Sequence, residues 1–260
     1  MDHACTCQHH QDDVATERAQ PVPTRELELA CYIPAYNEAR LIASVVAPLA
    51  KTLAAQVGSF ELVVVDDHSS DDSADRVRAL ALPGVRVVRS ERGPSFRENL
   101  ARNMVQGSAK ILMFVDADMG PDPATLQAML AALADGADLV VGNRYHPQLA
   151  TRRRVGRRVM SHAYNGFLRT AFSSKIQDHQ CGLKAFRADV LRRLVTQMAP
   201  DPDFQRGWFW DAELLVRAQW AGLRIAEVAV DPDTRQDSRA MLSTQYAILP
   251  WVLRLLAARP

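Results

Sequence analysis

The chain has 260 residues, 48% of them hydrophobic and 23% charged, with 31 Lys and Arg against 30 Asp and Glu. That length and apolar share support one large domain or two small ones with a sizeable core; they exclude disorder, a collagen-like repeat or a mini-protein scaffold as the main state. A formal net charge of +1 excludes the global basic excess of a nucleic-acid-binding protein, so no nucleic acid is expected as a partner.

Residues 1–26 read as a disordered tail of low apolar content, punctuated at its end by Pro21 and Pro23. The spacing of His3, Cys5, Cys7, His9 and His10 fits no closed zinc site, so they are expected to be incidental. Two of the four cysteines lie in this tail, and Cys31 and Cys181 stand in hydrophobic or motif-like surroundings. No disulfide framework results, and a reducing compartment is expected. The first residues are polar and acidic, unlike a signal peptide. No uninterrupted apolar run reaches about 18 residues, so a spanning helix is not expected.

From residue 27 three apolar runs each end at polar or acidic residues. Leu27–Pro34 runs into Tyr36, Asn37 and Glu38; Glu61–Val65 into Asp66 and Asp67; Ile111–Val115 into Asp116, Ala117 and Asp118. A shorter run, Asp138–Val141, ends at Gly142, Asn143 and Arg144. Such runs predict buried parallel strands. Helical spacing over Arg40–Leu53, Ser73–Leu80, Phe96–Gln106 and Pro123–Ala134 predicts the helices between them. Alternating strands and helices imply an open α/β sheet whose strand ends bind the ligand. Glu38, Asp67, Asp118 and Arg144 are therefore expected to converge.

The second half is less regular. Residues 151–187 carry nine Lys or Arg against one acid, Asp178, which points to an anionic ligand or surface. Residues 155–172 read as an amphipathic helix and Asp211–Ala221 as another. Residues 241–256 form an apolar stretch broken by Pro250, too short to span a bilayer but able to lie on one.

Asp116 and Asp118, one residue apart at a strand end, suit a hard divalent cation, which takes one or two carboxylates plus phosphate oxygens and water. The plain alternative is a solvated turn or a helix N-cap, a role Asp122 also suits. Likewise Ser69, Ser70 or Asp71 are expected to cap the next helix while Asp67 meets the ligand.

Taken in order, Ile33-Pro34-Ala35-Tyr36-Asn37-Glu38, Val65-Asp66-Asp67-His68-Ser69-Ser70-Asp71 and Asp116-Ala117-Asp118 resemble the opening, second and metal-binding motifs of family-2 glycosyltransferases of the GT-A fold. Gly142-Asn143-Arg144-Tyr145, Asp178-His179-Gln180-Cys181-Gly182-Leu183-Lys184 and Trp210-Asp211-Ala212-Glu213-Leu214-Leu215 resemble segments of its polyprenyl-phosphate branch. The last two are more similar to dolichyl-phosphate glucosyltransferases than to mannose synthases. The set spans residues 30–215. The chain departs from the family in having His68 for Gly, Arg92-Gly93-Pro94 for a Gly-Lys-Gly segment, His179 for Thr, and no membrane helix.

The resemblance implies an α/β GT-A fold with a Rossmann-like, mostly parallel central sheet flanked by helices. The transferase domain is expected at 27–240, followed by a C-terminal amphipathic segment at 241–260 able to lie on a membrane, with interfacial amphipathic helices in the C-terminal half. The resemblance implies an inverting transfer from a nucleotide sugar, a UDP-sugar favoured, to a polyprenyl phosphate, with Mg²⁺ or Mn²⁺ as cofactor. Pro34, Tyr36, Glu38, Val65 and Asp67 are then expected at the nucleoside, and Ala117 beside them. The ordinary reading of Tyr36 is core packing. Asp118 is expected to ligate the metal, and Asp116 to ligate it or hold the ribose. Arg144 and Lys184 are candidates for the donor diphosphate or the acceptor phosphate, with Arg239 added by its Asp237-Ser238-Arg239 context. Asp211 and Glu213 are candidate acceptor-side acids, Asp211 for positioning ahead of general base. The basic helix with Phe167, Leu168 and Phe172 is expected at the isoprenoid and membrane side, or else packed on the sheet. The protein is expected in the cytoplasm, peripheral on the cytoplasmic membrane face, with room for a membrane-embedded partner protein. The alternatives are a GDP-mannose-dependent mannose synthase, a transferase with a hydroxyl acceptor, or a non-catalytic lipid- or nucleotide-binding adaptor.

Overall fold

A computed structural model describes residues 27–120, 122–147, 155–231 and 248–260, with the backbone alone for 155–160. The tail with its Cys and His residues, Arg152–Arg154, the side chains of Arg157 and Arg158, Arg239 and residues 241–247 lie outside the described residues.

The strands are β1 (Leu29–Ala35), β2 (Phe60–Asp66), β3 (Val85–Arg89), β4 (Ile111–Val115), β5 (Leu139–Asn143), β6 (Leu183–Arg187) and β7 (Ile225–Ala229). They form one sheet in the order β3-β2-β1-β4-β6-β5-β7, parallel except for β6, which runs antiparallel to both β4 and β5. The helices are α1 (Ile42–Gln56), α2 (Ser73–Arg78), α3 (Glu98–Gln106), α4 (Pro123–Ala134), α5 (Val155–Phe172), α6 (Ala188–Met198), α7 (Phe209–Trp220) and α8 (Leu249–Ala257).

The apolar runs are continuous because the central strands are buried on both faces. In β1, Leu29, Cys31, Ile33 and Ala35 pack with α1 and α4 through Ile42, Val46, Leu49, Leu126 and Met129. Ala30 and Tyr32 point the other way, onto Leu100 and Met104 of α3, Leu191 and Leu194 of α6, and Trp210 and Leu214 of α7. This is the period-two alternation of a strand, with apolar side chains on both sides.

Four elements were not anticipated from the sequence. The strand β3 reads VRVVR and is half-buried at the sheet edge, while β7 is half-buried throughout at the other. The short strand β6 begins inside the motif Asp178–Lys184, and α6 follows it without a break. Pro250 does not interrupt an apolar segment but lies in the first turn of α8, where its missing N–H costs nothing.

A third cluster corrects the reading of the basic helix. Leu168 and Phe172 of α5 are fully buried against Phe209, Ala212 and Val216 of α7 and Val252 and Leu255 of α8. Phe167 alone of the three predicted interfacial side chains is exposed. Among the described residues no helix is long and apolar enough to cross a membrane.

Candidate active site

The carboxyl ends of β1, β2, β4 and β5 share one rim of the sheet. They place Pro34, Tyr36 and Glu38, then Val65 and Asp67, then Asp116, Ala117 and Asp118, then Arg144 along it. Because β6 is antiparallel, its beginning reaches the same rim: Val115 pairs with Leu183, and the Asp116 amide donates to the Gly182 carbonyl (2.7 Å). Lys184 and the 178–182 loop therefore join the acids, and the first turn of α7 adds Asp211.

The first two loops are stitched together. Asn37, at φ 55°, accepts with Oδ1 from the amides of Ser70 and Asp71, and its own amide donates to Ser69 Oγ (3.0 Å). The Glu38 amide donates to Ser73 Oγ (2.8 Å). Ser69 and Ser70 thus tie β2's loop to β1's rather than capping α2, and Asp71 accepts the Ser73 amide at the helix start (3.0 Å). His68 takes the left-handed conformation (φ 67°) in which glycine is more usual, so the turn is kept despite the substitution. Asp122 caps α4 by accepting the Thr125 amide (2.8 Å), which leaves Asp116 and Asp118 free of that duty.

Tyr36 is 44% exposed, so it is a rim residue and not core. Val65 and Ala117 are buried and offer the rim backbone rather than side chains. Asp67 accepts four bonds: from the Ser95 amide (2.7 Å), Ser95 Oγ (2.9 Å), the Phe96 amide (3.0 Å) and Asn99 Nδ2 (2.6 Å).

The centre is an ion network. Arg97 donates from Nη1 and Nη2 to the two oxygens of Asp116 (2.6 and 3.0 Å) and from Nε to Asp211 Oδ2 (2.8 Å). Lys184 Nζ donates to Asp211 Oδ1 (2.7 Å) and to the Cys181 carbonyl (2.6 Å). Burial alone would raise the pKa of Asp211, but Arg97 and Lys184 hold it below the usual carboxylate range. Arg144 grips Asp178 through Nε (2.7 Å) and Nη2 (2.8 Å), and that pairing outweighs burial to keep Asp178 low as well. Asp118 differs. Burial and the neighbouring Asp116 charge raise its pKa, with Arg144 and Arg97 only partly opposing, and no other described side chain bonds to it.

Lys184 has no exposed surface and two protein oxygens on its ammonium, so it meets Asp211 rather than a diffusing phosphate. Glu213 belongs to a separate buried group: Arg217 Nε lies 2.8 Å and Arg206 Nε 3.5 Å from its oxygens. Arg97 was missed from sequence. Its position at the N-terminal cap of α3 is the available signal, because a cation there opposes the helix dipole unless carboxylates compensate it.

His179 is fully buried. Its amide and Nδ1 face Asn165 Oδ1 (3.0 and 2.8 Å), and Nε2 faces Ser174 Oγ (2.8 Å). Burial pushes its pKa from 6.5 down to about 4, Asp178 opposing and Lys184 reinforcing the shift. A folded pKa below the unfolded one means that the unfolded chain binds more protons in this window. Stability is therefore expected to fall by roughly 2–3 kcal/mol as the pH drops from the unfolded towards the folded value. Chemical denaturation across that range should show a shallower slope for His179→Thr than for wild type; an identical slope would contradict the assignment.

Asp116 and Asp118 are both partly exposed and offer hard oxygen donors. Only a glycine at 182 leaves room for Asp116, since a Cβ there would stand 2.0 Å from Oδ2. Among the described residues no group of three or more His, Cys, Asp and Glu is arranged to hold a metal unaided. Two carboxylates at one strand end have the donor chemistry for a hard cation that takes its remaining ligands from phosphate and water, and in this structure both Asp116 oxygens are held by Arg97.

A sequence model of the family described as Glycosyl transferase family 2 matches residues 31–195. The glycosyltransferase AglD of Haloferax volcanii is 33% identical over 237 residues, which cover 87% of this chain and 36% of that protein's length. This chain thus spans about a third of that relative. The dolichyl-phosphate beta-glucosyltransferase of Dictyostelium discoideum is 25% identical over 240 residues, 86% of this chain and 71% of its own. Among solved structures, glucosyl-3-phosphoglycerate synthase from Mycobacterium tuberculosis, in complex with Mn²⁺, UDP and phosphoglyceric acid, superposes with a TM-score of 0.66. It is 24% identical and covers 90% of this chain and 78% of its own, a likeness of fold.

Proposed function

Because the chain belongs to glycosyl transferase family 2, we propose that it moves a sugar from a nucleotide sugar to a polyprenyl phosphate. A UDP-sugar is the favoured donor, and inversion would give a β-linked polyprenyl-phosphate sugar. The observation that carries this reading is the convergence of Asp116, Asp118, Arg97, Arg144 and Lys184 at one sheet rim. Relatives named for dolichyl-phosphate glucosyl transfer support the acceptor class.

Asp118, with Asp116, would hold Mg²⁺ or Mn²⁺. When bound, the cation neutralises charge on the leaving diphosphate. The nucleoside end would lie along Pro34, Tyr36, Glu38 and Val65, where the exposed Tyr36 ring offers a face to a base, while Asp67, expected there as well, has its oxygens filled by Ser95, Phe96 and Asn99 and shapes the rim instead. Arg144 engages Asp178 with Nε and Nη2, which leaves Nη1 for the donor diphosphate or acceptor phosphate. Arg239 is proposed to join it. Lys184 acts through Asp211, keeping it charged and in place. No general base is required, since a phosphate monoester with a second pKa of about 6 is largely ionised at neutral pH.

The acceptor side would face an anionic membrane surface, on the cytoplasmic face. Of the five large hydrophobic side chains exposed among the described residues, four lie on α5 and α8: Phe167, Leu249, Leu253 and Leu256. The three leucines follow helical spacing, and neither helix contains an acid, while Arg169, Arg254 and Arg259 are exposed nearby.

The test is a transfer assay with a short polyprenyl phosphate, Mg²⁺ or Mn²⁺, and a panel of UDP-glucose, UDP-N-acetylhexosamines, UDP-galactose and GDP-mannose, read by mass spectrometry of the lipid fraction. One glycosylated lipid is expected; no lipid product from any donor would overturn the reading. In parallel, anionic liposomes at low salt should sediment the protein, and Leu249→Glu with Leu253→Glu should weaken that. Indifference of the wild type to liposomes would remove the membrane surface.

A further inference from the structure

Arg97 is fixed in place from several directions. Its side chain is only 3% exposed. Its guanidinium carbon lies 4.8 Å from the Phe114 ring centroid and 5.6 Å from that of Trp208. The segment that delivers it is strapped to the end of β2 by the four bonds to Asp67. A carboxylate offers about four lone-pair sites, so those four donors saturate Asp67. Gly93 allows the strap to lie close, because a Cβ there would be 2.2 Å from the Asp67 carbonyl oxygen. Phe96, immediately before Arg97, sits in the left-handed region (φ 59°) with its ring against Trp208, centroids 5.4 Å apart.

This fixed guanidinium spans both oxygens of Asp116, one of the two carboxylates suited to a cation. The acid pair Asp116 and Asp118 carries two formal negative charges, and Arg97, paired with Asp116 and acting also on Asp118, offsets one of them. The formal sum of the three is one negative charge. That is a weak attraction for a dication entering alone, and a strong one only once a diphosphate adds its own negative charge. Without Arg97 the sum would be two negative charges and both oxygens of Asp116 would be released.

We propose that Arg97 is a positioning residue that makes divalent-cation binding depend on the nucleotide diphosphate. It holds Asp116 and withholds enough charge that the acid pair takes the cation only together with the donor. The consequence is a site that does not fill with a free cation between turnovers. The proposal rests on the donor-site reading above.

The test measures free Mn²⁺ by electron paramagnetic resonance in titrations of the full chain, without nucleotide, with UDP and with GDP. Wild type is expected to bind Mn²⁺ weakly alone and at least about tenfold more tightly with one of the nucleotides. Arg97→Gln should bind Mn²⁺ more tightly than wild type in the absence of nucleotide and gain less from adding it. Arg97→Lys, which keeps the charge, should stay near wild type without nucleotide. An Arg97→Gln protein that is folded by circular dichroism yet shows unchanged or weaker nucleotide-free affinity overturns the proposal. So does a wild-type affinity that is independent of nucleotide, a result that does not need any variant to fold. No binding of UDP or GDP with Mn²⁺ present overturns the donor-site reading and this proposal together; nucleotide binding without an Arg97 effect overturns this proposal alone.

Discussion

Asp118→Ala is expected to lower sugar transfer by about 10²–10³-fold or more while leaving the fold at least as stable as wild type. The two halves of that expectation have one cause. Asp118 is partly exposed at the end of β4, and no other described side chain bonds to it. Its neighbours push its pKa upward, with burial first and the Asp116 charge second. A carboxylate kept in such a place costs stability, and the proposed cation would compensate it. Removing it relieves the repulsion with Asp116 and takes away the candidate cation ligand. Transfer measured over a Mn²⁺ titration, beside thermal unfolding, checks both halves. Near-wild-type turnover would remove Asp118 from the site, and a large drop in melting temperature would make its role structural.

Asp211→Ala is expected to destabilise the protein by about 3–5 kcal/mol. Asp211 is the counter-charge for two buried cations, with Arg97 on one oxygen and Lys184 on the other. Deleting it strands Lys184, whose side chain has no exposure, and leaves the 3% exposed Arg97 with Asp116 as its one remaining carboxylate. Breaking a buried pair is far more costly than replacing it whole, because the remaining charge keeps its desolvation penalty. Urea denaturation gives the number, and a loss under about 1 kcal/mol would mean that the network is not what holds these cations. Asp211→Asn separates structure from chemistry. It keeps the shape and one acceptor, so it should cost less stability. The pH profile of turnover near neutrality should keep its shape, because Arg97 and Lys184 hold the Asp211 pKa below the usual carboxylate range and a phosphate acceptor, as proposed, would need no base. Loss of a limb of that profile would restore the general-base role.

The strand ends and their acids were legible because a parallel strand buried on both faces must be apolar throughout and must stop where the chain reaches the rim. That is why Ile111–Val115 matches its predicted span at both ends, while the helix Pro123–Ala134 matches because Asp122 caps it and Pro123 stands in its first turn. Edge strands β3 and β7 carry no such mark: half-buried strands tolerate Arg and Glu, and their sequences look like loops. Leu168 and Phe172 were legible as apolar but not as core, since helical spacing identifies a face and not what covers it.

The candidate site divides in the same way. Residue type at strand ends was enough to single out Asp116, Asp118, Asp67 and Arg144, and the resemblance of their segments to the family added Lys184 and Asp211, both of which are buried. Which of them face solvent and which serve one another depends on contacts between residues far apart in sequence. Arg97 and Asp211 are 114 positions apart, Asp67 and Ser95 are 28, and Arg144 and Asp178 are 34. The antiparallel entry of β6 brings Lys184 to Asp211, and the strap on Asp67 brings Arg97 to Asp116. The sequence by itself determined the family, the four parallel strands β1, β2, β4 and β5, and the charges at their ends other than Arg97. The tertiary structure alone decided how those charges are paired, because a charge's partner is set by through-space distance and desolvation, which local sequence does not encode.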